Sequence, residues 1–99
     1  MSFELLISDE ASLDIADSYL WYEMQREGLG KDFELCIEAG LNRIVRNPKN
    51  FQKKYKSVRI HFIERFPYGI HYLLDRQLIK VIAVFHTARD PKSWNERMK

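Results

Sequence analysis

Cysteine is nearly absent from this chain: Cys36 stands alone and closes no internal disulfide. Glycine and proline are sparse too, at four and three residues, which excludes fibrous or low-complexity repeats. No apolar run approaches the ~20 residues that a membrane span requires. The start, Met1-Ser2-Phe3-Glu4, shows neither a basic stretch nor a cleavage site. A cytoplasmic protein without membrane contact is the expectation. Phosphate-loop and dinucleotide fingerprints are missing. His61, His71 and His86 have neither i, i+4 spacing nor cysteine partners, so neither a metal nor a cofactor is expected.

What is present suffices for one ordinary domain spanning residues 1–99. Apolar residues make up 45% of the chain and charged residues 30%, within the range of a globular core with a solvated surface. The net charge of +2 conceals a strong division. Residues 1–42 carry ten acidic side chains against Arg26 and Lys31, whereas residues 43–99 carry fourteen basic ones against four acidic. The density is greatest over 43–65, where Glu64 alone opposes eight lysines and arginines. Such a stripe suits a polyanion or another acidic partner. An internal arrangement, acidic helices over a basic sheet, is the alternative.

Hydrophobic periodicity gives an α+β architecture. Phe3–Ile7 reads as a first strand, and Ser8 or Asp9 caps a helix over Glu10–Glu27. Its stripe is Ile15, Ala16, Tyr19, Leu20 and Tyr22, widened by Leu13 and Met24. Gly28 and Gly30 mark a tight turn into a second, antiparallel helix with Phe33, Ile37, Leu41 and Ile44 buried. Asn47-Pro48 ends that helix. Lys49–Ser57 reads as a polar linker whose Phe51 and Tyr55 either tuck inward or stack bases between lysines. Three strands follow as an antiparallel meander: Val58–Glu64, Ile70–Leu74 and the strand from Leu78 to His86. Asp90 and Pro91 then open a short C-terminal helix carrying Trp94 and Arg97. The helices are expected on one face of the sheet. The other face, with Arg59, His61, Arg65, His71 and His86, is expected to be open and basic.

An Arg/Lys/His/Tyr set of this kind admits metal-free RNA cleavage. His86 would act as acid or base, Arg89, Arg65 and Arg59 would hold the phosphate and stabilise its charge, and Tyr68 or Tyr72 would stack a base or hold a proton. Arg59, His61, His71, Lys53, Lys54 and Trp94 complete the candidate binding set. The same groups also suit passive binding.

Several motifs, in order, carry a resemblance across nearly the whole chain. They are Tyr22-Glu23 with Gly28-Leu29-Gly30, Asn47-Pro48, Arg59 before a strand, Phe66-Pro67-Tyr68 with Ile70 and Tyr72, and His86-Thr87-Ala88-Arg89-Asp90-Pro91 with Trp94. Together they resemble the RelE/ParE superfamily of toxins from bacterial type II toxin–antitoxin modules. The resemblance implies a growth-arresting toxin bound by a cognate antitoxin in a hetero-oligomer. Its target would be DNA gyrase, as for ParE-like members, or ribosome-bound mRNA, as for RelE-like members. No tyrosine follows Tyr72, so the RelE-type C-terminal tyrosine is missing. The ending looks closer to the ParE-like, plasmid-stabilisation branch. A non-toxic RNA-binding module of the same fold is the alternative.

Overall fold

The structure, a computed structural model, describes residues 2–97. Strand β1 (Glu4–Ile7) leads into α1 (Asp9–Gln25) and α2 (Leu29–Arg46). A 3₁₀ turn at Pro48–Asn50 precedes β2 (Lys53–Tyr55), β3 (Val58–Phe62), β4 (Tyr68–Asp75), β5 (Leu78–His86) and α3 (Pro91–Arg97). The sheet order is β1-β5-β4-β3-β2, with β1 parallel to β5 and every other pair antiparallel. The meander is therefore flanked on both sides, and the chain's first and last strands are neighbours. The expected linker supplies an edge strand: Lys53 pairs with Arg59 across β2 and β3.

Local chemistry sets the helix ends. Ser8 caps α1 by accepting the Ala11 N–H at 3.1 Å. Gly28 begins α2 rather than closing α1, with φ of 88° that few residues other than glycine adopt. Glu23 reaches across the turn and accepts the N–H groups of Gly28 and Gly30, both at 2.9 Å. One carboxylate thereby satisfies two donors that the start of α2 leaves without intrahelical partners.

Both helices lie on the sheet face carrying Tyr68, Ile70, Tyr72, Ile79, Val81 and Val84. Phe33, Ile37 and Ile44 of α2 are buried there. Gly40 lets α2 approach the sheet, since a Cβ at that position would stand 2.9 Å from Ile70 Cδ1 and 3.1 Å from Ile63 Cγ2. Helix α1 departs from its expected stripe. Ala11 is its only fully buried residue, while Leu13, Leu20, Trp21 and Met24 are exposed.

The opposite face is neither open nor basic. It carries Val58, Ile60, His71, Ala83 and Phe85, all buried. Helix α3 folds over it, placing the Trp94 ring 5.2 Å from His71 and 5.3 Å from Tyr55. Hydrophobic burial explains the reversal: a face with Val58, Ile60 and Phe85 gains more from a covering helix than from water.

Beyond β1, the edge of β5 is closed by side chains. A bulge places Ile82 opposite no residue of β4. Asp14 of α1 accepts the Val84 N–H at 3.0 Å, and Arg97 of α3 donates to the Ile82 carbonyl at 2.9 Å. Arg97 and Asp14 also meet in a two-pronged ion pair at 2.9 and 3.2 Å, largely shielded from water. This pair joins the helices of the two faces around the sheet edge.

Candidate functional site

The sequence-derived site residues do not all come together but are dispersed over the fold. His86, the expected proton-transfer group, ends β5 on the helix-bearing face, where its ring stands 5.2 Å from Tyr68. With Asp14, Asp17, Ser18, Val84 and Arg89 these residues line a pocket of about 170 Å³. The imidazole Nδ1 accepts the Ala88 N–H at 2.9 Å, so a neutral ring carries its proton on Nε2. Asp14 is already neutralised by Arg97. Asp17 makes no ion pair among the described residues and offsets the charge of Arg89. Arg89 itself lies over the Phe85 ring at 4.1 Å. The pocket thus holds one imidazole, one phenol and nearly balanced charge. Sequence reasoning missed Asp14, Asp17 and Ser18, since only the packing of α1 across β5 brings them to His86.

Arg65 does not join this pocket. It sits in the β3–β4 turn with φ of 70°, and its guanidinium meets Asp32 of α2 at 3.5 Å. The register of β3 sends His61 beneath α2, opposite Ile70. Its pKa is lowered, first by burial and then by Arg43. Phe51 packs on it at 4.2 Å, which removes that ring from any stacking role. His71 lies on the other face under Trp94, and its Nδ1 shares a hydrogen bond with the Tyr55 hydroxyl at 2.9 Å. Burial, with a smaller contribution from Arg97, lowers its pKa to about 4. Burial raises the Tyr55 hydroxyl to about 12. Burial thus favours the uncharged form of both imidazoles. Trp94 belongs to this satellite core, with its indole Nε1 buried and unpartnered. His61, His71 and Trp94 are packing groups and are withdrawn from the expected open surface.

Arg59 and Lys53 share the helix-bearing face at the far end of the sheet. Arg59 donates to the carbonyls of Phe51 and Lys49 at 2.7 and 3.3 Å. Lys49, Lys53, Ser57, Leu74 and Arg76 complete a cleft of about 320 Å³ with it. Lys54 points elsewhere, its ammonium meeting Gln52 at 3.1 Å. The basic stripe is therefore real, but its cleft contains no imidazole. Among the described residues no group of His, Cys, Asp and Glu is placed to hold a metal, and no helix is long and apolar enough to cross a membrane.

Helix α1 presents the remaining feature. Leu13, Leu20, Trp21 and Met24, with Leu35 of α2, form apolar surface on a hairpin otherwise rich in carboxylates. A shallow groove of about 380 Å³ runs between Ser12, Ile15, Ala16, Tyr19, Leu20 and Glu34.

Residues 5–91 match the family model described as the ParE toxin of the type II toxin–antitoxin system parDE. The chain belongs to the ParE toxin family. The match runs from β1 to the first residue of α3 and contains both the His86 pocket and the basic cleft. Among solved structures, the chain is similar to one from the chromosomal ParDE toxin–antitoxin system of P. aeruginosa. The two share 14% identity at a TM-score of 0.67, over 86% of this chain and 96% of that one. At that identity the likeness establishes the fold. No curated protein gives a significant match. The ParE-family assignment agrees with the mixed sheet, the acidic helical hairpin and the short C-terminal helix of this chain.

Proposed function

We propose that this ParE-family protein arrests growth by binding DNA gyrase, without cleaving RNA, and that a cognate antitoxin silences it. The observation that carries this reading is the dispersal of the groups a nuclease would need. Metal-free RNA cleavage needs a base, an acid and cations around one phosphate. Here His86 is the only exposed imidazole, and Arg65 is paired elsewhere with Asp32. His61 and His71 are buried, which favours their uncharged forms. Asp17 beside His86 disfavours an incoming phosphate. The basic cleft at the other end has cations but no imidazole. A passive RNA-binding module is favoured no better, because Phe51 and Tyr55 are half-buried and packed on histidines.

The antitoxin surface in this reading is the outer side of the helical hairpin. The exposed Leu13, Leu20, Trp21 and Met24 of α1 give this side the apolar surface of an interaction site. The carboxylates around them favour a segment that combines apolar side chains with lysine or arginine. Expression of the chain in a bacterial host, with DNA and protein synthesis followed by pulse labelling, tests the target. DNA synthesis is expected to stop first, and the product of an adjacent antitoxin reading frame is expected to restore growth. An immediate halt in protein synthesis with DNA synthesis intact would overturn the gyrase reading.

A further inference from the structure

The basic cleft has no part in the gyrase-binding reading, yet its construction is specific. Four cations reach it from four separate segments: Lys49 from the turn after α2, Lys53 from β2, Arg59 from β3 and Arg76 from the β4–β5 turn. No carboxylate lines it, and no ion pair among the described residues engages any of the four. Asp75, the acid of the β4–β5 turn, is exposed and outside the lining. Like charges brought together without counter-charges repel, so folding alone gives no reason for the cluster. The hairpin tips at this end repeat the pattern. Lys56 and Arg76 hold φ of 48° and 58°, where glycine or asparagine would be less strained. Arg59 is fixed by two backbone carbonyls, so its guanidinium is oriented before any ligand arrives.

We propose that Lys49, Lys53, Arg59 and Arg76 form a docking site for the phosphate backbone of a nucleic-acid duplex. A surface cleft lined by cations and one hydroxyl, Ser57, matches phosphate oxygens. A single strand would call for rings on which bases stack. The two nearest are committed elsewhere: Phe51 packs on His61, and Tyr55 lies against His71 and Trp94 on the opposite face. Contact is therefore with the backbone alone, and binding is independent of base sequence.

Fluorescence anisotropy of the full chain with a labelled 20-base-pair duplex tests this. Duplex DNA, duplex RNA and the single strands are compared. Three or four phosphate contacts give a salt slope of about −2.7 to −3.6 in log–log form, a loss of roughly 40- to 150-fold between 50 and 200 mM salt. The double substitution Lys53→Gln, Arg76→Gln removes two exposed cations without touching the core. It is expected to weaken binding at least tenfold and to reduce the slope by about 2. Arg26→Gln, an exposed charge on the helical hairpin, should change neither. Arg59→Gln should weaken binding in the same direction and reduce the slope by about 1, with circular dichroism confirming the fold. The tighter of the two duplexes identifies the natural ligand. Absence of duplex binding at 50 mM salt, tighter binding to single strands, or an equal loss in Arg26→Gln would overturn the site. Supercoiling inhibition is read separately, so either result stands whichever enzyme the toxin poisons.

Discussion

Acid should loosen this protein before its carboxylates titrate, and His71 is the reason. Its ring is 2% exposed, enclosed by Phe85, Trp94 and Tyr55, and hydrogen-bonded to the Tyr55 hydroxyl. In the unfolded chain its pKa is near 6.5, and in the folded protein it falls to about 4. The folded state therefore binds fewer protons than the unfolded state between these values. The stability His71 contributes is complete above pH 6.5, declines as pH falls, and stops declining below about 4. The interval from 6.5 to about 4, at ~1.4 kcal/mol per pH unit, amounts to about 3.5 kcal/mol across the window, of which about 2 kcal/mol is lost by pH 5. His61, lowered in the same direction, adds to the slope. Urea denaturation followed by tryptophan fluorescence at pH 7, 6 and 5 measures this. The double variant His71→Phe, Tyr55→Phe removes the imidazole without orphaning the hydroxyl. It should retain only the part of the slope due to His61. An unchanged slope in that variant, or a His71 ring titrating near 6.5 by NMR, would refute the reasoning.

Arg97→Gln should destabilise the fold by about 2 kcal/mol in chemical denaturation, because it leaves the shielded Asp14 carboxylate without its counter-charge. Gly30→Ala should cost about 1–3 kcal/mol. Its Cβ would stand 2.7 Å from the Tyr19 backbone carbonyl, which cannot step aside as a side chain can. Substituting Trp21, which is 57% exposed, by serine should weaken antitoxin binding at least tenfold by calorimetry while leaving the toxin folded. Arg65→Ala should alter neither fold nor toxicity, since it breaks an exposed pair with Asp32 and a peripheral contact with the Phe66 ring; loss of growth arrest would restore Arg65 to the functional site.

Much of the architecture was legible because period and punctuation agreed. Phe33, Ile37 and Ile44 mark the buried side of α2, and Asn47-Pro48 stops it. The run from Leu78 reads as a strand packed on both sides, which β5 is. Lys53–Tyr55 was not legible, because two lysines in a three-residue edge strand look like a loop. The greater loss was in the faces. Alternation in Val58–Ile63 separates two sets of side chains without telling which set meets α2. Both sets are apolar enough to be covered, and α3, only seven residues long, carries no pattern that assigns it a side. That ambiguity placed Arg59, His61, His71 and His86 together on one surface, whereas the fold divides them. Asp14 shows the same limit from the other direction. In sequence it reads as one more acid near a helix start, and only the tertiary fold brings it to Val84, Arg97 and His86.

Growth arrest by binding gyrase, without chemistry on RNA, is tested by incubating relaxed plasmid with purified gyrase and increasing amounts of the full chain, with mRNA in a translating extract assayed from the same preparation. Supercoiling is expected to be lost while the mRNA stays intact, in the wild type and in His86→Ala alike. Unimpaired supercoiling together with ribosome-dependent cuts that vanish in His86→Ala would contradict it.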